Sequence, residues 1–335
     1  MKSKLGVLLN SWDELRAGRR LGRWLTVGVL LLAIGLLVVL LIRGREDLRQ
    51  FNNWDAYLGV CTQGFLLYPF SLGVQALIWG MMIARLEGTV KGWRDLEIYA
   101  YTHLMRHLPG AVWYLAGRVV MYHARGISAG ATLAASGLEW FLLLMTGMVI
   151  YAGLGVGGGA WWLPGLGVFA LLGAGCLLAS KVLRLAEGTS WLRGLPRRWL
   201  DVLLGMGVPG RKDLALWVGL YALAYAVGGL ILFVLVRGVV PESGLTLIDA
   251  VRTWALAAGI GFLISPVVPV NLGVQELTLT ALLAPDVHTT GAVLVALLLR
   301  MVFLASDLVW GGLLWATARV VGRTRAVPRD PSGTQ

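Results

Sequence analysis

Charge is what this chain has least of. Only 14% of its 335 residues are Asp, Glu, Lys or Arg, while 57% are hydrophobic and the mean hydropathy is +0.74. A soluble domain of this length could not carry that balance without aggregating, so its solvent is mostly lipid. Cysteine is nearly absent, and Cys61 and Cys176 each stand inside an apolar stretch where a thiol behaves as a small hydrophobe. That excludes a disulfide framework. Histidine is scarce as well: His103, His107, His123 and His288 include one i, i+4 pair, but there is no third ligand and no HExxH. No metal and no cofactor are expected, and no GxxxxGK loop is present to hold a nucleotide.

Acids are fewer than bases, 18 against 29, for a net charge of +11. On a soluble protein this excess would point to nucleic acid. Here the bases fall in the gaps between apolar runs, so they read as topology and as contacts to anionic headgroups.

Apolar runs are abundant. The first, 24–42, is long enough to cross a hydrocarbon core and has no small-residue cleavage site after it, which marks a retained helix. Before it, Leu5, Leu8, Leu9, Trp12 and Leu15 recur at helical spacing among Lys2, Lys4, Arg16, Arg19 and Arg20. Segment 1–23 is thus either a cytoplasmic amphipathic helix in the headgroup plane or a disordered basic tail. Further crossings are expected at 56–83, 129–154, 162–183, 214–236 and 290–320. Two other apolar stretches are interrupted: 96–122 at Pro109 and Gly110, and 248–284 at 265–273, which holds Pro266, Pro269 and Gly273. Proline lacks the helical donor and glycine favours exits from helix, and backbone freed in this way survives at membrane depth only beside protein or a wet cavity. Two re-entrant helical hairpins follow. The fold class is an all-α polytopic membrane protein with about six transmembrane helices plus those hairpins.

The positive charges orient it. Residues 1–23 carry six Lys and Arg, 84–128 six, 181–212 seven and 319–335 four, whereas Arg43, Arg45, Arg49, Arg237 and Arg252 fall on the opposite side. This places both termini in the cytoplasm of a multi-pass cell-membrane protein. Tryptophans at run ends, among them Trp24, Trp54, Trp93, Trp162 and Trp199, read as interface anchors, and the 45 glycines suit close helix packing. A single transmembrane domain, 24–320, is followed by a basic tail, 321–335, whose composition predicts disorder.

The halves 24–155 and 162–320 resemble one another. Residues 130–139 and 291–300 share five identities in ten at an offset of 161, and each copy follows a Pro-broken segment. Two crossings, a hairpin and a third crossing in each half make the second copy an inverted repeat, the arrangement that sets broken helices against each other near the midplane of transporters.

Two motifs carry a family resemblance. The stretch from Arg106 through Leu108, Pro109 and Gly110 to Gly117 and Arg118, followed by Gly126-Ile-Ser and the helix containing Glu139, resembles the first signature of the lysylphosphatidylglycerol synthase transmembrane-region family. That family is also called the flippase-like domain or uncharacterised protein family 0104. Its second signature, a Pro-rich break running into Gly-x-x-Glu, is similar to the run from Pro266 through Pro269, Asn271 and Gly273 to Glu276. The resemblance covers roughly 20–320. Two departures stand out: Leu115-Ala116-Gly117 replaces a Gly-Glu pair before the arginine, and Val270-Asn271 replaces Gly-Gly after the second proline. In the aminoacyl-lipid synthases the similar membrane part precedes a soluble aminoacyltransferase and is implicated in translocating the modified lipid. Only a short tail follows the last helix here, so the resemblance implies transport and not synthesis.

Charged residues inside the runs are the candidate site. Glu139, Arg300 and Asp307 are costly at membrane depth and each calls for a partner or a wet cavity. Arg300 and Asp307 share a helical face, and Glu139 is the repeat equivalent of Arg300. A Glu139 to Arg300 ion pair is the structural expectation, with snorkelling to the interface as the alternative. Arg118 and Arg106 offer forked donors suited to a lipid phosphate, beside a half-helix N-terminus after Pro109; otherwise they are ordinary cytoplasmic topology charges. Asn271 is placed to cap the helix that follows it, and Glu276 to neutralise Arg118 when no lipid is bound.

Two functions are expected from these features. The first is a transporter moving a phospholipid or polyprenyl-phosphate lipid between leaflets through a groove lined by Arg118, Glu276 and Glu139. The second is a non-transporting scaffold that binds anionic lipid and positions an envelope-synthesis enzyme. The acids and histidines are not spaced for catalysis, so no enzyme activity is expected, and no nucleic-acid partner.

Overall fold

The computed structural model describes residues 39, 42, 54–87, 93–105, 112–154, 210–264 and 273–324. Among them every element is a helix: α1 Trp54–Glu87, α2 Trp93–Leu104, α3 Val112–His123, α4 Ala129–Gly153, α5 Arg211–Val239, α6 Leu247–Ile264 and α7 Val274–Thr324. Segment 1–23, residues 325–335, the crossing at 162–183 and all of that at 24–42 but Val39 and Ile42 lie outside the described residues, as do Arg106, Pro109, Gly110, Pro266, Pro269 and Asn271. Helix α7 runs on to Thr324, so the first four residues assigned to the basic tail are helical.

Among the described residues, four stretches are long and apolar enough to cross a membrane: Asp55–Leu86, Ala129–Gly153, Lys212–Val239 and Val274–Leu314. The shortest has 25 residues, about 37 Å of helix against a hydrocarbon core of about 30 Å. Helices α2 and α3 have 12 residues each, about 18 Å, too short to cross. Helix α7 bends where Val287 and His288 leave helical geometry just after Pro285, dividing it into arms 274–286 and 289–324.

Helix starts are built from local chemistry. Ser128 accepts from the Ala131 N–H to open α4, and Asp213 accepts from the Gly210 N–H at the start of α5. Thr246 and Asp249 bond reciprocally before α6. Gly273 opens α7 with φ +88°, a backbone that L side chains rarely adopt, and its N–H reaches Glu276 Oε2 at 2.7 Å. Each device satisfies one of the donors that a helix N-terminus leaves over.

Packing uses the same logic of leftover groups and small residues. Pro69 in α1 has no N–H to give the Phe65 carbonyl one turn back, and the Trp310 indole of α7 donates to that oxygen at 3.4 Å. Helix α5 meets α6 at Gly228 and Gly229, where a Cβ on Gly229 would fall 2.4 Å from the Val251 Cα. The outward faces are apolar: Leu58, Leu66 and Phe70 of α1, Leu216 of α5, and Met301 and Leu308 of α7 are exposed. Arg118, Glu139, Glu276 and Asp307 are buried instead. This inversion of the soluble pattern fits a lipid solvent.

Side-chain contacts group the helix ends. Arg85 near the end of α1 pairs with Asp213 at the start of α5 at 3.2 Å, and Arg125 after α3 lies 3.9 Å from Glu97 at the start of α2. At the other end, Arg252 of α6 sits over the Tyr151 ring of α4, and Gly238 of α5 meets Val60 of α1.

Candidate functional site

Arg118 is the centre of a closed box. Its side chain is fully buried on α3, and its guanidinium forms an ion pair with the equally buried Glu139 of α4 through both terminal nitrogens. Three rings surround the cation: Trp79 of α1 at 3.7 Å from the centroid, Tyr114 of α3 at 4.2 Å and Tyr99 of α2 at 4.8 Å. Two of those rings also serve the anion, for Tyr99 Oη donates to Glu139 at 2.9 Å and Tyr114 Oη at 2.6 Å. Arg118 Nε donates to Thr102 Oγ1 at 3.3 Å, while that hydroxyl turns its own hydrogen to the Ile98 carbonyl. Every charge is matched and bonded, as survival in a low-dielectric interior demands.

A second ion pair lies in α7. Arg300 Nε stands 3.6 Å from Glu276 Oε1, and the other oxygen of Glu276 takes the Gly273 N–H. The third cluster joins three helices. Tyr68 of α1 donates to Asp307 Oδ1 of α7 at 2.5 Å, and His103 Nε2 of α2 lies 3.2 Å from that phenol and 3.5 Å from that carboxylate oxygen. The His103 ring also packs on Tyr99, with centroids 5.9 Å apart, so this cluster adjoins the Arg118 box.

These partnerships correct three expectations. Glu139 takes Arg118 in place of Arg300, because α3 and not α7 lays its cation against that carboxylate. Glu276 takes Arg300 and cannot serve as the counter-ion of Arg118, which already has one. The expected groove lined by Arg118, Glu276 and Glu139 is replaced by a closed interior, in which a lipid phosphate reaches Arg118 only by displacing Glu139. Asp307 does share a helix with Arg300, but it turns to Tyr68 and His103. Glu276 accepts from the Gly273 N–H at the start of α7; Asn271, expected to cap that helix, lies outside the described residues.

A cavity opens elsewhere, about 620 Å³ between α1, α2 and α5. Gly73, Ala76, Gly80 and Ala84 of α1 line one side, with Leu96 and Trp217 among the opposing residues. Its polar end carries Arg85, Asp95 and Asp213. Sequence reasoning passed over both this groove and the aromatic box. The signals were present: small residues at 73, 76, 80 and 84 keep one face of α1, and Tyr99, Thr102 and His103 keep one face of α2.

No protein-family model matches the chain, and no curated protein matches it.

Proposed function

We propose that this chain is a multi-pass cell-membrane protein that moves a phospholipid or polyprenyl-phosphate lipid between leaflets, with both termini in the cytoplasm. The observation that carries the reading is the groove between α1, α2 and α5. Its polar end, at Arg85, Asp95 and Asp213, lies at the ends of helices that border the basic segments 84–128 and 181–212, the cytoplasmic side by the positive-inside rule. From Arg85 the lining continues along α1 to Gly73, twelve residues or about 18 Å deeper. One leaflet of hydrocarbon is about 15 Å deep. A slot of that depth, apolar within and charged at its mouth, suits a single lipid chain with its headgroup at the cytoplasmic surface.

Two further features support a transporter architecture. Helices α2 and α3 flank the first Pro-broken segment in sequence, and α6 and the first arm of α7 the second, as two re-entrant hairpins would require. The ion pairs also repeat with their signs exchanged. In the first half, Arg118 on the helix after the break meets Glu139 on the next helix; in the second, Glu276 after the break meets Arg300. Residues 139 and 300 keep the offset of 161, and 118 and 276 lie 158 apart. That correspondence supports a repeat of the two halves, and the orientation of their helix ends decides whether it is inverted. The resemblance to the lysylphosphatidylglycerol synthase transmembrane region rests on the two motifs and points to lipid translocation without catalysis.

The closed box around Arg118 favours a second reading, in which the protein holds lipid without moving it, as a scaffold for an envelope-synthesis enzyme. Reconstitution with a fluorescent phosphatidylglycerol in liposomes, read by chemical quenching of the outer leaflet, separates the two. Gly80→Phe is the informative variant, because a Cβ at Gly80 meets nothing within 4 Å and the ring fills the slot without a clash at its base. A fall in translocation of about tenfold or more at an unchanged melting temperature is expected, a loss of about 1.4 kcal/mol in transition-state stabilisation per factor of ten. Translocation by Gly80→Phe at the wild-type rate excludes the groove as the lipid path, and no translocation by either protein favours the scaffold.

A further inference from the structure

The mouth of the groove holds an arginine whose donors are mostly unspent. Arg85 stands in the last turn of α1 with its side chain 54% exposed, and it lines the groove together with Asp95 and Asp213. Its ion-pair partner among the described residues is Asp213, 3.2 Å from Nε, and neither terminal nitrogen makes a hydrogen bond there. We propose that Arg85 binds the phosphate of a lipid headgroup through those two nitrogens while one chain of the same lipid lies in the groove. The proposal rests on the groove as a lipid slot; it does not require the lipid to cross.

The guanidinium suits that ligand by shape. A carboxylate at Nε takes one edge of the planar fork and leaves the edge between the terminal nitrogens, where two parallel N–H donors match two oxygens of a phosphodiester. Asp213 is itself held, because its Oδ2 takes the Gly210 N–H at the start of α5 at 3.0 Å. Arg85 is therefore positioned before any lipid arrives. Asp95 and Asp213 also mark the first turns of α2 and α5, so two helix N-termini, with their partial positive charge, meet at the mouth. The two carboxylates oppose an anion by charge alone. What selects a phosphate here is the free fork of Arg85.

The groove wall gives the chain its place. At Gly229 the missing Cβ admits a neighbouring backbone, whereas a Cβ on Gly73 or Gly80 of α1 meets nothing within 4 Å among the described residues. Small residues on that face of α1 thus do not serve a described helix. They leave an apolar slot that ends at Arg85, and a ligand filling it carries its polar group at one end. That is the form of a lipid chain with its headgroup.

Binding is measured on the full chain in detergent by titrating phosphatidylglycerol with brominated chains, which quench a tryptophan on contact. Trp217 lines the groove, and the quenching lost in Trp217→Phe reports it. Phosphatidylglycerol is expected to quench Trp217 saturably, and brominated diacylglycerol, which differs only in lacking the headgroup, to bind about tenfold more weakly. Arg85→Gln should weaken phosphatidylglycerol by a similar factor and leave diacylglycerol unchanged. Arg85→Lys should fall between, because a point charge replaces the fork, and it serves if Arg85→Gln does not fold. Asp213→Asn keeps an acceptor for Gly210 and for Nε but removes a negative charge beside the phosphate, so it should bind phosphatidylglycerol more tightly. Lys212→Gln, an exposed charge next to Asp213 that does not line the groove, should bind near the wild-type affinity. Wild-type affinity in both Arg85 variants overturns the site. Equal losses in Arg85→Gln and Lys212→Gln reduce it to surface charge and overturn it as well. Inorganic phosphate at constant ionic strength should not displace the lipid; displacement makes this a free-phosphate site and overturns the lipid assignment. Quenching of Trp217 by neither lipid removes the slot and the proposal together. If binding depends on Arg85 but no lipid crosses in liposomes, transport falls and the headgroup site stands.

Discussion

Arg118 and Glu139 are each fully buried, and neither has a reason to be there without the other. Arg118→Ala takes the guanidinium from a buried carboxylate that two phenols also bond, and Glu139→Ala takes the carboxylate from a buried cation among three rings. Each single change should cost about 3–5 kcal/mol, and the double change to apolar residues should recover much of that loss. Thermal unfolding in detergent checks it through a double-mutant cycle. The matched cycle for Glu139 and Arg300 should come out additive, because their ion pairs are separate. Strong coupling there with none between Arg118 and Glu139 would overturn the assignment. That these residues are interior was legible, since a charge inside an apolar run at helical spacing needs a partner. Which partner was not: spacing along one helix gives the face a residue occupies, not the helix that lies opposite.

At the scale of elements, the ends of helices were the most legible feature. The gap between the ranges 248–284 and 290–320 contains Val287 and His288, where α7 bends, and the break at 108–110 falls between Leu104 and Val112. Proline and capping residues act within a few positions of themselves, so their effects appear in the local sequence. Helix pairing leaves a weaker trace. Glycine is common throughout this chain, and only the structure singles out Gly229, whose missing Cβ admits the Val251 backbone. Gly229→Leu should wedge α5 from α6 at a cost of about 1–3 kcal/mol or more. Gly219→Leu, where a Cβ meets nothing within 4 Å, should unfold near the wild-type temperature. Equal melting temperatures for the two variants would argue that α5 and α6 do not pack at that crossing.

For the whole molecule, the two groups of helix ends turn the charge count into a measurable orientation. The Arg85 to Asp213 and Arg125 to Glu97 contacts put the turn after α3 at the same end as the start of α5, while Arg252 over Tyr151 puts the α5–α6 turn at the opposite end. In sequence, the segments that border the first end are dense in basic residues, five in 84–128 besides the buried Arg118 and seven in 181–212, and the second end has Arg237 and Arg252. The orientation proposed above, by the positive-inside rule, has the first end facing the cytoplasm. Ala124 and Glu242 are exposed, one at each end. In a background with Cys61 and Cys176 replaced by alanine, Ala124→Cys in intact cells should resist a membrane-impermeant maleimide until the membrane is opened. Glu242→Cys should react from outside at once. The contrast has a structural reason: residue 124 follows the end of α3 and residue 242 the end of α5, and those two helix ends lie at opposite ends of the described helices. Labelling of both positions from one side would overturn the orientation and the upside-down relation of the two halves, because exchanged ion pairs at hairpins opening to one face belong to a parallel and not an inverted repeat.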